Sequence, residues 1–454
     1  MKPKGWWTTH PTILSVTVAG SWDSNGDGIG DFEGIRQNLD DLQAMGMTGL
    51  RLHQVTRFGD DYEFNGLVSQ DWFDTDPLFG TMDDFNRLMA ECHKRDIPII
   101  VMAVPEYLGW HHPIYLAAKQ ARNEGVEDPR IDWFGWDDDG SVELTWDHPA
   151  PDAGNQEYVE AFCEYIGFWM DKGIVGWDVD SIESWKNVNV KALRAITDLV
   201  KSRGGFITAE HSSLAHNITR CGGFNAGTGI RRDRLYGELE AMLEQNADHI
   251  RRGLAIRQQL IEHNIFPFQQ FGRRMFERYR GLFMRQMFRL QVAFQATLPD
   301  QVWVDASVIT YPRKLSKPLP TPLRTPLDID LKFWGLDHAE MSRQGSDPSS
   351  PFSFVKRMFV LRSQEEALGI GDLSELPTDK RQTVFAGLRT SERGTKRAVT
   401  VFNFDEEPCQ TEVIVGENIR ILRNYLSGEV IHVNNGILQV QLNRYGFKIL
   451  EVMN

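Results

Sequence analysis

From residue 10 to about residue 368 the chain repeats one pattern: a short β-branched run, then a longer stretch with helical periodicity. Parallel strands need a crossover long enough to hold a helix, so this alternation implies a parallel sheet with helices packed against it. Candidate strands fall at 13–18, 49–55, 98–104, 174–180, 205–211, 224–229, 265–271 and 301–307. Eight is the number that closes a (β/α)8 TIM barrel. Candidate helices cover 82–95, 158–172, 190–203 and 276–298, and Asp83-Asp84 against Lys94-Arg95 suits the dipole of the first.

The alternation stops between residues 105 and 151, a stretch rich in Trp, Asp and His and too long for an ordinary connection. It reads as an insertion after the third strand. Beyond Leu368 the texture changes to short alternating runs at 383–388, 398–404, 411–415, 429–432 and 437–442, closed by 446–452. These predict a C-terminal antiparallel β-sandwich. The expected division is therefore 1–368, with the insertion 105–151, and 369–454. The Pro-rich stretch 314–326 reads as a surface loop after the eighth strand.

A chain of 454 residues with 41% apolar and 25% charged residues is large enough for a barrel and a second domain. No apolar run approaches the length of a membrane span. The N-terminus has no apolar core of a secretory signal, and four scattered cysteines fit reduced thiols, so a cytoplasmic location is expected. A net charge of −14 argues against a nucleic-acid partner and suits a neutral substrate.

Asp23-Ser24-Asn25-Gly26-Asp27-Gly28-Ile29-Gly30-Asp31 spaces short oxygen-bearing side chains along a Gly-rich turn. Asp23, Asn25, Asp27 and Asp31, with the Ile29 carbonyl, form a donor set for a hard cation, calcium first and magnesium second. An EF-hand is excluded, because Gly34 stands where its bidentate Glu belongs and a strand precedes the loop. A structural clip is expected rather than a catalytic metal.

Trp6-Trp7, this loop, the following amphipathic stretch 35–42 and Asp76-Pro77-Leu78-Phe79-Gly80 together resemble the alpha-amylase superfamily, glycoside hydrolase family 13. The likeness is greatest to its oligo-1,6-glucosidase and trehalose-synthase branch. The resemblance implies a retaining α-glycosidase or transglycosidase acting on a small-molecule carbohydrate. Asp178 and Asp180 lie two apart on one strand, so both face one side. The resemblance puts Asp180 in the nucleophile's place and Glu210 in the acid/base's place, two carboxylates as glycoside cleavage requires. Without the resemblance, strand-end acids that cap helices or bind solvent explain the spacing better.

Several positions depart from the family pattern. Asp178 replaces an Arg, so repulsion within Asp178–Asp180 should make the pair share a proton. Met102, Glu106 and Tyr107 replace the third strand's Asp, Asn and His, and Leu67-Val68 replace a sugar-stacking Tyr and its Asp. Gln270 and its neighbours hold no His-Asp at the end of the seventh strand. Little turnover of ordinary α-glucosides is expected. Glu106, Asp178, Asp180, Glu210 and His211, with His53 on the second strand and Asp305 on the eighth, form the candidate pocket. Three readings stay open: an enzyme with altered subsites, an inactive relative that binds a sugar or a protein, and metal-assisted chemistry in the acidic pocket.

Overall fold

Among the described residues each β-branched run carries a strand. The computed structural model describes residues 5–53, 55–58, 66–180, 182–209, 223–227, 237–272, 285–309 and 335–453. The eight strands are β1 (Thr12–Val16), β2 (Gly49–Leu52), β3 (Ile99–Ala103), β4 (Gly176–Val179), β5 (Phe206–Ala209), β6 (Ala226–Gly227), β7 (Phe266–Phe271) and β8 (Gln301–Asp305). They form one sheet in the order β6-β7-β8-β1-β2-β3-β4-β5, every neighbouring pair parallel. Between β5 and β6 the Asn225 amide stands in for a ladder. It donates to Gly205 O at 2.8 Å and accepts from Ile207 N at 2.8 Å, the same pair of bonds a peptide group would make.

Side chains alternate along a strand, so residues two apart share a face. That periodicity builds the barrel interior in two levels. The lower level is apolar: Ile13, Ile100, Phe206, Phe266, Phe268 and Trp303, closed from below by Trp7, with Phe268 and Trp303 stacked 4.3 Å apart. Each fully buried Phe contributes about 1.5–3 kcal/mol. In the upper level, two residues further along, β1, β5, β7 and β8 turn polar with Ser15, Thr208, Gln270 and Asp305, Asp178 joins them from β4, and Met102 on β3 stays apolar. The fold thus places its polar groups at the C-terminal strand ends, where barrels of this type carry their chemistry.

The helices cover the outer wall. Met82–Lys94 opens with a capping box between Thr81 and Asp84 and buries Phe85, Leu88, Met89 and Cys92. Gln156–Asp171, Val190–Ser202 and Arg285–Gln295 follow the remaining helical patterns; residues 276–284 of the last prediction lie outside the described residues. The amphipathic stretch after the Gly-rich loop is two helices rather than one, Phe32–Gln37 and Leu39–Ala44. Asn38 causes the break. Its side-chain amide donates to Gly34 O at 2.8 Å, and its backbone N–H turns to Ile35 O.

The insertion after β3 holds the helix Pro113–Glu124, a 3-10 turn at Pro129–Trp133 and a two-residue hairpin of Leu144–Thr145 with His148–Pro149. The C-terminal part pairs β9 (Gly371–Glu375), β10 (Val384–Ser391), β11 (Arg397–Asn403), β13 (Ile421–Asn424), β14 (Val430–His432) and β16 (Phe447–Val452) in one sheet, and β12 (Cys409–Ile414) with β15 (Ile437–Leu442) in another. Val384, Ala386, Val399 and Val401 of the first meet Val413, Leu438 and Val440 of the second in a sandwich core. One buried arginine fastens this sandwich to the barrel, and a second binds the barrel's own carbonyls near the junction. Arg389 donates to Gly369 O at 2.5 Å, Asp372 O at 3.2 Å and Thr297 O, and Arg362 to Leu298 O at 2.6 Å and Leu368 O at 3.0 Å.

Candidate active site

The upper level of the barrel is organised around a residue that strand-end reasoning overlooked. Arg51 lies on β2, level with Ser15 on β1, and is buried. Its Nε and Nη2 donate to Asp178 Oδ2 at 2.8 and 2.6 Å. Its Nη1 donates to Ser15 Oγ at 3.0 Å and lies 2.9 Å from His53 Nε2. Asp178 is therefore not a bare carboxylate crowding Asp180, as the sequence suggested. Arg51 pairs with it as a buried counter-ion, a partner that β4 read alone does not supply. The missing positive charge of β4 is supplied from β2. Arg51 and His53, alternating with Leu50 and Leu52 in a candidate strand, were the available signal.

Asp180 follows β4 directly. It is 8% exposed, and its backbone N–H is held by Ala103 O at 2.8 Å. Glu210 and His211 lie outside the described residues. Glu106 is buried just past the end of β3. Tyr107 packs with Val68 and Val104, Leu67 lies against this cluster, and the Tyr107 ring is 5.6 Å from that of His148. The positions where the family carries a stacking Tyr and its Asp thus form an apolar patch. On the far side, Gln270 Nε2 donates to Asp305 Oδ1 at 2.7 Å. A Cβ at Gly272 would meet Asp305 Oδ2 at 2.2 Å, so the carboxylate rests against backbone that only glycine leaves open. The structure joins Arg51, Asp178 and His53 in one network, and Gln270 and Asp305 in another. Among the described residues no three His, Cys, Asp or Glu side chains form a group able to hold a metal.

The Gly-rich loop is shaped by its own acids. Asp23 accepts from the backbone of Asn25, Gly26 and Gly28 at 3.1, 2.7 and 2.8 Å, Asn25 from Asp27 N at 2.9 Å, and Asp27 from Ile29 N at 2.8 Å. Asp31 is buried and caps the next helix through Gly34 N at 2.6 Å, while holding Ser24 N at 2.9 Å. A Cβ at Gly34 would lie 1.9 Å from Trp22 O, so no Glu fits at that position. The oxygen donors suit a hard cation, and each carboxylate keeps at least one lone-pair site beyond these bonds.

Comparison with known proteins agrees with this architecture. The alpha-amylase catalytic-domain family model matches residues 21–152. Glucan 1,6-alpha-glucosidase of Streptococcus pneumoniae is 30% identical over 203 residues, 39% of this chain and 36% of that protein. Oligo-1,6-glucosidase of Heyndrickxia coagulans is 27% identical over 207 residues, 39% of this chain and 36% of that protein. The chain thus spans 36% of the length of these two curated relatives. The solved structure of Eubacterium rectale Amy13B superposes with a TM-score of 0.76 at 17% identity, covering 99% of this chain and 97% of the other. At that identity the likeness shows the fold.

Proposed function

We propose that this chain, which belongs to the alpha-amylase superfamily, is a retaining α-glycosidase or transglycosidase with altered substrate subsites. The observation that carries the reading is the buried Arg51–Asp178 pair beside Asp180. An ion pair costs desolvation to bury and is held here by further bonds to Ser15 and His53. It restores a cation to the polar level from which Asp180 would act.

In this mechanism the Asp180 carboxylate attacks the anomeric carbon while Glu210 gives its proton to the departing glycosidic oxygen. The product is a glycosyl ester on Asp180. Water or a second sugar hydroxyl then attacks that carbon, Glu210 accepts its proton, and Asp180 leaves. The apolar Leu67–Val68 patch offers no hydrogen bonds to a sugar hydroxyl, so subsite chemistry differs from that of ordinary α-glucosidases. The same patch favours the second reading, a relative that binds a sugar without turnover. A panel of α-linked oligosaccharides and activated glycosides separates them. Turnover lost in both Asp180→Asn and Glu210→Gln supports the enzyme; saturable binding without turnover supports the second reading. Turnover that survives both variants and is lost on chelation moves the chemistry to a metal in the acidic pocket.

Asp23, Asn25, Asp27, Asp31 and the Ile29 carbonyl would hold one calcium, or magnesium, as a structural ion that braces the loop. The thiols of Cys92, Cys163 and Cys409 are free, which fits a reducing cytoplasmic setting.

A further inference from the structure

All three guanidinium nitrogens of Arg51 are engaged inside the barrel. Nε and Nη2 bond Asp178 on β4, Nη1 reaches Ser15 on β1 and His53 past β2, and the guanidinium carbon lies 5.6 Å from the centre of the Trp303 ring on β8. One side chain thus ties four strands together across the polar level. Arginine has five N–H donors and no acceptor. Its 2.9 Å approach to His53 Nε2 is therefore a hydrogen bond only if that nitrogen carries no proton. The ring proton then sits on Nδ1 and the imidazole is neutral. An imidazolium would set two donors, each on a cation, against one another.

We infer that Arg51 is the positioning residue of this site: it serves as the counter-ion of Asp178, fixes His53 as the neutral Nδ1–H tautomer and so holds the end of β4 that carries Asp180. The inference rests on the reading of Asp180 as nucleophile. Asp178 sits two residues before Asp180, whose backbone N–H bonds Ala103 O at 2.8 Å. Holding the Asp178 side chain from across the barrel fixes the strand end on its interior face as well. A shift of about 1 Å at a reacting group can cost about 100-fold in rate. Arg51 does not touch substrate in this arrangement; it acts through Asp178 and His53.

The test is nitrogen NMR of the uniformly labelled full chain at neutral pH, which distinguishes the two neutral tautomers and the imidazolium by the shifts of the ring nitrogens. The chain has 12 histidines, so His53→Gln identifies the resonance. The wild type should show His53 with Nε2 unprotonated and Nδ1 protonated. Arg51→Lys keeps a charge but loses the planar fork. It should release His53 to a mixture of tautomers and lower kcat by about 100-fold, with KM moving much less. An imidazolium or an Nε2–H ring in the wild type overturns the inference, and that result needs no variant to fold. An Arg51→Lys protein with an unchanged His53 spectrum and unchanged kcat also overturns it. A wild type with the expected tautomer but no turnover of any glycoside overturns the glycosidase reading instead, and leaves the Arg51–His53 assignment standing.

Discussion

Glu238 should make this protein less stable as the pH rises from 4.5 toward 7. The residue opens the short helix Glu238–Glu244 and is fully buried. Its Oε1 accepts from Gln295 at 2.6 Å and from Gln269 and Gln291 at 3.3 Å each, while Oε2 has no hydrogen-bond partner among the described residues. Burial pushes the carboxyl up from 4.5 to about 7, against its own backbone N–H and the Gln291 and Gln295 amides, which favour the charged form. In the unfolded chain the group loses its proton near 4.5; in the folded protein it keeps it until about 7. Between those values the native state binds more protons, so stability falls with rising pH and levels off above about 7. At about 1.36 kcal/mol per unit of pKa, the window from 4.5 to 7 corresponds to about 3 kcal/mol. Glu238→Gln keeps the shape and removes the titration. For a chain of 454 residues, about 3 kcal/mol is a difference of about 3 °C in Tm. Scanning calorimetry of both proteins from pH 4.5 to 8.5 should give curves that meet near the acid end, separate progressively up to about pH 7 and keep a constant separation above it, with the variant more stable. Parallel curves, or a variant that loses stability at high pH, would refute the reasoning; other titrations common to both proteins cancel in the difference.

Three further outcomes follow from the same contacts. Calcium should raise the Tm of the wild type and leave Asp27→Ala unmoved, whereas Asp31→Ala should cost about 1–2 kcal/mol even without calcium because it also removes a helix cap; a calcium response that persists in Asp27→Ala would count against the loop as the site. Burial pushes Cys92 up to about 12 and Cys163 up to about 11, so a thiol reagent at pH 8 should label neither in the native protein and both after denaturation; rapid native labelling of Cys92, read by peptide mass mapping, would show that this wall opens readily. Arg389→Met leaves the carbonyls of Thr297, Leu368, Gly369 and Asp372 without this donor, and should cost more than about 3 kcal/mol; an unchanged unfolding midpoint would mean the sandwich is held by other contacts.

The barrel was legible because its strands are buried on both faces, which writes them as nearly continuous apolar runs such as Ile99-Ile100-Val101. The sandwich was legible in its alternating strands but not in β9 or β13. Gly371-Asp372-Leu373-Ser374-Glu375 is an edge strand with no β-branched residue, and Ile421–Asn424 is too short to show a period. The site was legible where local spacing decides, as for Asp178 and Asp180 on one face. It was illegible where the deciding partner is remote: Arg51 is 127 residues from Asp178, and Glu238 is 57 residues from Gln295. A substitution read one strand at a time looked like the loss of a cation, while three dimensions show that the cation comes from another strand. Gly34 teaches the same point. Its identity excluded an EF-hand from sequence, but the reason for it is the Trp22 carbonyl across the turn.

The central claim is that Asp180 forms a covalent bond to the anomeric carbon of an α-linked sugar. Incubation with a fluorinated α-glycosyl fluoride, which slows release of the glycosyl enzyme, followed by proteolysis and peptide mass spectrometry, tests it directly. The account predicts one added glycosyl unit on the peptide containing Asp180, abolished in Asp180→Asn and retained in Asp23→Ala. A protein that turns over a glycoside yet carries no label at Asp180, or carries it on another carboxylate, would contradict it.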